Sequence, residues 1–365
     1  MFPFTVHFVS RQALPFPASR ICNTFMANQT RAMQITVRIL SVLVILATAT
    51  VLTAQSKLPR ISVKGNSFVT PEGKSIVFRG LNTSDPDRLE SSGHWNEGYF
   101  REMKSWGANI VRFPVHPSAW RKRGQDEYLK LLDKGIELAT AHDMHVIIDW
   151  HSIGNLKEER YQNPMYNTTW DETLAFWQTI AARYKGNTTV AFLELFNEPT
   201  VTGDRFGNCT WSEWKDMMEK LIAAIRETGN TAIPLVAGFN WAYDLRDVAK
   251  NPINAEGIGY VSHPYPQKRN KPWESQWTKD WGYVAEKYPL ILTEIGFCGP
   301  DDRGAHVPVI SDESYGDAIT AYTKERGISW VVWVFDPNWS PMLFTDWEFT
   351  PTRQGKYFRK ILRGE

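Results

Sequence analysis

Two glutamates stand at the ends of apolar runs in this chain. Residues 190–196 run directly into Asn197-Glu198-Pro199, and Leu290 to Thr293 lead into Glu294-Ile295-Gly296. Two carboxyl groups facing one bond can serve acetal hydrolysis, one giving and taking a proton while the other attacks carbon or directs water. Direct attack needs the carboxyls about 5 to 5.5 Å apart, and an intervening water needs more room. Other polar residues follow similar runs: Asn82, Arg112, Asp149 with His151, His263 with Tyr265, and Trp333. Single residues of these types are usually structural. Glu194, alternating within its own run, is expected to point outward or into a structural pair, and Asp149 to hold a structural hydrogen bond. The joint placement of the rest carries the argument.

The elements that position them are eight short apolar runs, at 76–81, 109–113, 145–149, 190–196, 233–236, 258–262, 290–293 and 329–334. Segments of helical period separate them, such as 126–139, where Leu129, Leu132, Ile136 and Ala139 share a face. Continuously apolar strands alternating with helices predict a parallel sheet buried on both faces. Eight such units without a break in composition predict an α/β fold closed as a (β/α)8 TIM barrel, which needs about 250 residues. Such a barrel carries its active site at the carboxyl ends of the strands, where these polar residues fall. Turn signals at Gly65-Asn66 and Pro71-Glu72-Gly73 predict a short N-terminal β-hairpin closing the bottom. No Gly-x-Gly-x-x-Gly follows the first strand and no Gly-Lys-Ser/Thr loop occurs, so nucleotide folds lack support.

The ordered set resembles the family 5 glycoside hydrolases of clan A, cellulases among them, from Gly80-Leu81-Asn82 to Trp333. Asn197-Glu198-Pro199 and Glu294 look like the family's acid/base and nucleophile signatures, and Arg112, His151, His263 and Tyr265 match its other motifs. The resemblance implies a retaining endo-β-1,4-glucanase. Glu198 must then be protonated when substrate binds, which partial burial and the negative Glu294 favour. Glu294 must stay ionised, with Arg112 and Tyr265 holding its charge and rotamer. Asn197 would bond the sugar 2-hydroxyl, His263 would sit near Glu198, and His151 would contact a sugar hydroxyl. Mannan, xyloglucan, lichenan and β-1,3-glucan remain open as substrates, because specificity on this barrel lies in loops. A transglycosylase would carry the same signature, and loss of either carboxylate would have marked a non-catalytic carbohydrate-binding protein.

Sugar rings present an apolar face, and 16 tryptophans are available to meet it. Trp333 is the expected platform at the reaction centre, with Trp241, Trp273, Trp277 and Trp339 as candidates to extend the cleft. Neither Cys209 nor Cys298 has C-x-x-C spacing and no His-x-His occurs on the first strand, so no metal and no cofactor are expected. Those two cysteines could pair as a disulfide or remain thiols.

The net charge of +1 over 365 residues offers no field for nucleic acid. A β-glucan chain is the expected partner of a monomer. Arg38, the apolar run Ile39 to Leu46 and small residues up to Ala54 read as a signal peptide over 33–54, directing secretion and leaving no membrane anchor. Residues 1–32 have no signal character and read as an upstream extension. Residues 58–365 are expected to form one catalytic domain. Asn82, Asn167, Asn187 and Asn208 each open an N-glycosylation sequon.

Overall fold

The computed structural model describes residues 58–365 except 202 and 204, so the expected extension and signal peptide lie outside the described residues. Eight parallel strands close into a barrel: β1 (Arg79–Asn82), β2 (Ile110–Val115), β3 (His145–Trp150), β4 (Val190–Glu194), β5 (Ile233–Ala237), β6 (Gly259–Val261), β7 (Leu290–Ile295) and β8 (Ser329–Val332). Each pairs with its sequence neighbour, and β8 returns to β1 through Trp330 opposite Arg79. The sheet therefore has no free edge.

The outer layer holds α1 (Glu97–Ser105), α2 (Gln125–Ala141), α3 (Trp170–Arg183), α4 (Trp211–Glu227), α5 (Glu274–Asp280), α6 (Glu313–Arg326) and α7 (Arg353–Arg363). Helix α4 shows why these segments start where they do. The Thr210 hydroxyl accepts from the Glu213 backbone N–H, and the Glu213 carboxylate accepts from the Thr210 backbone N–H, a reciprocal capping box. Its apolar face, with Trp214, Met218, Leu221 and Ile225, joins the core between barrel and helices.

Inside the barrel the side chains stack in layers, because alternate residues of a strand share a face. Ile110, Ile147, Phe192, Val261, Ile291 and Val331 form one apolar layer. Two residues further along the same strands stand Arg112, Asp149, Glu194, His263, Thr293 and Trp333. The step from apolar packing to polar chemistry is thus one inward position on β2, β3, β4 and β7 and just past the end of β6. Below, Ser62–Lys64 and Ser67–Val69 pair as an antiparallel hairpin through the two-residue turn Gly65-Asn66, with Gly65 at φ +60°. Phe68 of this hairpin sits edge-on to Phe192 at 4.8 Å and joins the apolar layer, which closes the bottom. Among the described residues no helix is long and apolar enough to cross a membrane.

Candidate active site

The carboxyl-end mouth of the barrel opens into a cleft of about 840 Å3 lined by Glu198, Glu294, Asn197, His151, Tyr265 and Trp333, among others. Arg112 is fully buried beneath it and organises the floor. Its guanidinium donates to Glu194 through Nε at 2.6 Å and Nη2 at 3.0 Å, to Glu294 Oε1 at 3.1 Å, to Asn82 Oδ1 at 2.9 Å and to Asn197 Oδ1 at 2.7 Å. Asp149 Oδ2 lies 3.0 Å from its Nη2. Burial of this charge is costly, and the surrounding carboxylates more than compensate, raising its pKa further.

Glu294 faces the cleft because β7 is irregular. The register between β7 and β8 shifts between Leu292 and Ile295, so Thr293 and Glu294 both turn inward where strict alternation would send one of them out. Tyr265 donates to Glu294 Oε2 at 2.8 Å, on the side opposite Arg112. Burial, with the negative Glu198 adding to it, pushes the Glu294 carboxyl above the usual range, while His263, Arg112 and the Tyr265 hydroxyl oppose the rise.

Asn197 and Glu198 lie beyond β4 on a segment that β3 holds. The Asn197 N–H donates to Trp150 O at 3.1 Å and the Glu198 N–H to Ser152 O at 3.0 Å. Glu198-Pro199 then pairs with Ile153–Asn155, and Thr200 N–H reaches Gly154 O, so Pro199 does not end the ladder as its missing N–H would suggest. Asn197 Oδ1 is taken by Arg112, and its buried Nδ2 has no partner within the protein. Glu198 Oε1 lies 3.0 Å from His263 Nδ1. Ligating atoms of Glu198, His263 and Glu294 all fall within 4.8 Å of one another, the one such trio among the described residues.

His151 Nδ1 is 2.6 Å from Asp149 Oδ2, and burial first, then the charges of His116, Arg112 and His263, hold the ring well below its ordinary pKa. It is therefore neutral, donates to Asp149 and keeps Nε2 as an acceptor. Trp333 lies parallel to it, with ring centroids 5.4 Å apart. Trp339 and Trp241 also line the cleft. Trp241 is presented by a left-handed run, Asn240, Trp241 and Ala242 at φ +59°, +55° and +55°. Its indole donates to Gln162 Oε1 at 2.8 Å, with Lys268 Nζ 4.9 Å above the ring. Gly238 opens this tight loop, where a Cβ would sit 1.9 Å from Asp244 O.

The structure thus brings together Glu198, Glu294, Arg112, His151, Asn197, His263, Tyr265 and Trp333. One expectation is corrected, and three readings that the sequence left open are decided. Trp273 and Trp277 are buried in the outer core, stacked on one another 5.9 Å apart, and do not reach the cleft. Of the two arrangements expected for Glu194, the structural pair is the one present: it shares the inward face with Phe192 and pairs with Arg112. Cys209 and Cys298 are free thiols, because Cys209 packs in the outer core and Cys298 in a separate cluster beside Trp333. Asn82 is fully buried in the Arg112 network, which removes its sequon from any glycan acceptor role in the folded protein. Sequence reasoning passed over Lys268 and Thr293. Lys268 lines the cleft, and burial lowers its ammonium to about 8 although Glu198 counteracts this.

Fold and site together define a glycoside hydrolase built on the closed parallel barrel. The family model for cellulases of glycosyl hydrolase family 5 matches residues 69–338. The chain belongs to that family. It is similar to the β-glucanase SdGluc5_26A of Saccharophagus degradans, with 46% identity, 84% of this chain and 94% of that one covered, and a TM-score of 0.83. A structure of the same enzyme with cellotetraose matches equally well. Endoglucanase A of Butyrivibrio fibrisolvens is 27% identical over 286 residues, which cover 75% of this chain and 59% of that protein's length. The endoglucanase Cel5A catalytic domain of Thermobifida fusca, at 22% identity and a TM-score of 0.67, shares the fold.

Proposed function

We propose that the protein is a secreted, monomeric, retaining endo-β-1,4-glucanase acting on cellulose-like β-glucan chains, with residues 58–365 as its catalytic domain and residues 33–54 as its signal peptide. The observation that carries the reading is the pair of buried carboxylates, Glu198 and Glu294, with ligating oxygens within 4.8 Å across the mouth of the barrel. That spacing favours direct attack over a water held between them.

In the first step Glu198 gives its proton to the leaving oxygen as the glycosidic C–O bond breaks, and a Glu294 oxygen bonds the anomeric carbon. In the second, Glu198 takes a proton from water as the water oxygen attacks that carbon and the bond to Glu294 breaks. Arg112 and Tyr265 hold the attacking carboxylate from two sides. Asn197 Nδ2, a buried donor without a protein partner, suits the 2-hydroxyl of the sugar being attacked, a contact that strengthens as charge develops. His151 Nε2 is free to accept from another hydroxyl, and Trp333 gives the ring an apolar floor. The cellotetraose complex of the similar β-glucanase supports an oligosaccharide of β-glucan type as ligand.

The test is a panel of carboxymethyl cellulose, lichenan, mannan and xyloglucan with product sizing, combined with NMR of the first-formed anomer. Internal cleavage of carboxymethyl cellulose with the β-anomer appearing first is expected. An α-anomer first would overturn retention, and activity confined to mannan would overturn the substrate. Product analysis with and without an acceptor sugar separates hydrolysis from transglycosylation.

A further inference from the structure

Thr293 stands directly before Glu294 and has no part in the chemistry described so far. It faces inward two residues beyond Ile291 of the inner apolar layer and is fully buried. Its hydroxyl lies 2.9 Å from Glu194 Oε1 and 2.9 Å from His263 Nε2. Glu194, ion-paired to Arg112, can only accept, so the single hydroxyl proton goes to Glu194. The hydroxyl oxygen must then accept from its other neighbour, which requires a proton on His263 Nε2. That leaves Nδ1, 3.0 Å from Glu198 Oε1, with room for one proton between the two.

We propose that Thr293, backed by Glu194, is a positioning residue for the acid step: it fixes His263 as the Nε2–H form, so that His263 Nδ1 and Glu198 share one proton, and this is the proton the leaving oxygen receives. The proposal rests on the reading of Glu198 as acid/base. The protons balance. Before glycosylation the Glu198–His263 pair is neutral overall and Glu294 is negative. When the leaving oxygen has taken the shared proton, the pair is negative and Glu294 is a neutral ester. Attack by water reverses both changes.

The groups facing His263 fit this arrangement. Glu194 and Glu198 come from the β4 side, Thr293 and Glu294 from β7 with Glu294 Oε2 3.9 Å from Nδ1, and Arg112, Asp149 and His151 stand across the floor. Lys268 follows on its own loop. Burial works against charge on this imidazole, yet Glu294, Glu194 and Glu198 together hold it up to about 9. The imidazole therefore keeps this proton at neutral pH.

The experiment compares Thr293→Val and Thr293→Ser with the unmodified enzyme on cellotetraose, whose leaving oxygen needs a proton, and on 2,4-dinitrophenyl cellobioside, whose phenolate does not. With Thr293→Val the Nε2–H faces a methyl group, the protonated imidazole loses an acceptor, and the shared proton leaves at lower pH. The basic limb of kcat/KM for cellotetraose should move down by about one pH unit, which at pH values above 9 approaches a tenfold loss of rate and at neutral pH leaves the rate nearly unchanged, the scale of a lost hydrogen bond to a charged group. Glycosylation by the dinitrophenyl substrate should stay within about threefold, and Thr293→Ser should restore both readouts. Equal losses on the two substrates would mean that Thr293 merely seats Glu294, and an unmoved basic limb would likewise overturn the relay. Should Thr293→Val fail to fold, the 15N imidazole spectrum of the unmodified enzyme decides: a protonated Nε2 on His263 from pH 5 to 8 is expected, and a neutral Nδ1–H tautomer sinks the proposal. Glu198→Ala separates the two levels. If it retains cellotetraose turnover, the acid/base reading itself is wrong. If it behaves as an acid/base variant while Thr293→Val matches the unmodified enzyme, the relay alone falls.

Discussion

The partners of the two carboxylates differ in kind, and that difference predicts what each can be replaced by. Glu294 is gripped by Arg112 Nη1 and the Tyr265 hydroxyl, both pure donors toward it, an environment suited to an anion held in one rotamer. The Glu198 carboxylate instead meets His263, a group that can take or return a proton. Glu198→Ala should therefore still be glycosylated by activated aryl glycosides. Azide, which needs no general base, should accelerate release of that intermediate and give a retained glycosyl azide. Glu294→Ala should be inactive on activated and natural substrates alike, and any azide product should have inverted configuration. Product stereochemistry by NMR reads this directly, and the opposite pairing of variant and configuration would exchange the two roles. Because burial and Glu198 push the Glu294 carboxyl up, the acid limb of kcat/KM should lie above the usual carboxylate range, and Tyr265→Phe should raise it further by removing a donor to the anion.

Among the elements, the hairpin and the irregular strand β7 divide stability from chemistry. Phe68 belongs to the hairpin, is almost fully buried, and packs edge-on against Phe192 and at a tilt against Phe78 at the end of the barrel away from the cleft. Phe68→Ala should cost about 3 to 5 kcal/mol in urea unfolding, the range for emptying a buried aromatic site, and leave kcat/KM unchanged at temperatures where the protein stays folded. A drop in kcat/KM without a shift of the unfolding midpoint would refute this division. The strands were legible in the sequence because each is a short apolar run, and the site was legible because its residues terminate those runs. Glu194 was legible too, by two-residue alternation from Phe192, although its charge argued for an outward position. Thr293 follows from Ile291 in the same way, but the inward turn of Glu294 directly after it does not follow from alternation, since two successive inward residues require a register shift that composition does not encode. Trp273 and Trp277 carry the same aromatic signal as Trp241. Only the packing of α5 against Tyr315 and Tyr322 decides that they serve the core. The cysteines follow the same rule, because pairing depends on which cluster each side chain enters.

At the scale of the molecule, the barrel holds an ionic assembly that a hydrophobic core would not tolerate unpaired. Asp149, Glu194, Glu198 and Glu294 face two cations, Arg112 and His263. Arg112 keeps its charge at any pH the protein survives, so the alkaline response of the assembly falls to His263. Burial opposes charge on that ring, but Glu294, Glu194 and Glu198 prevail and raise it from 6.5 to about 9. The folded state therefore binds this proton more tightly than the unfolded chain does. Its contribution to stability is fully present below pH 6.5, and it is lost as pH rises through 9. The lost term is of order 3 kcal/mol if His263 acts alone, and less if the proton is shared with Glu198. The urea midpoint of the unmodified protein should accordingly decline between pH 6.5 and 9. His263→Gln should start lower, because it leaves the acids short of one cation, and its midpoint should be nearly level across that window. Urea titrations of both proteins at half-unit steps of pH measure this. Parallel declines in the two would show that alkaline loss of stability arises elsewhere, with the Lys268 ammonium, held at about 8, as the next group to replace.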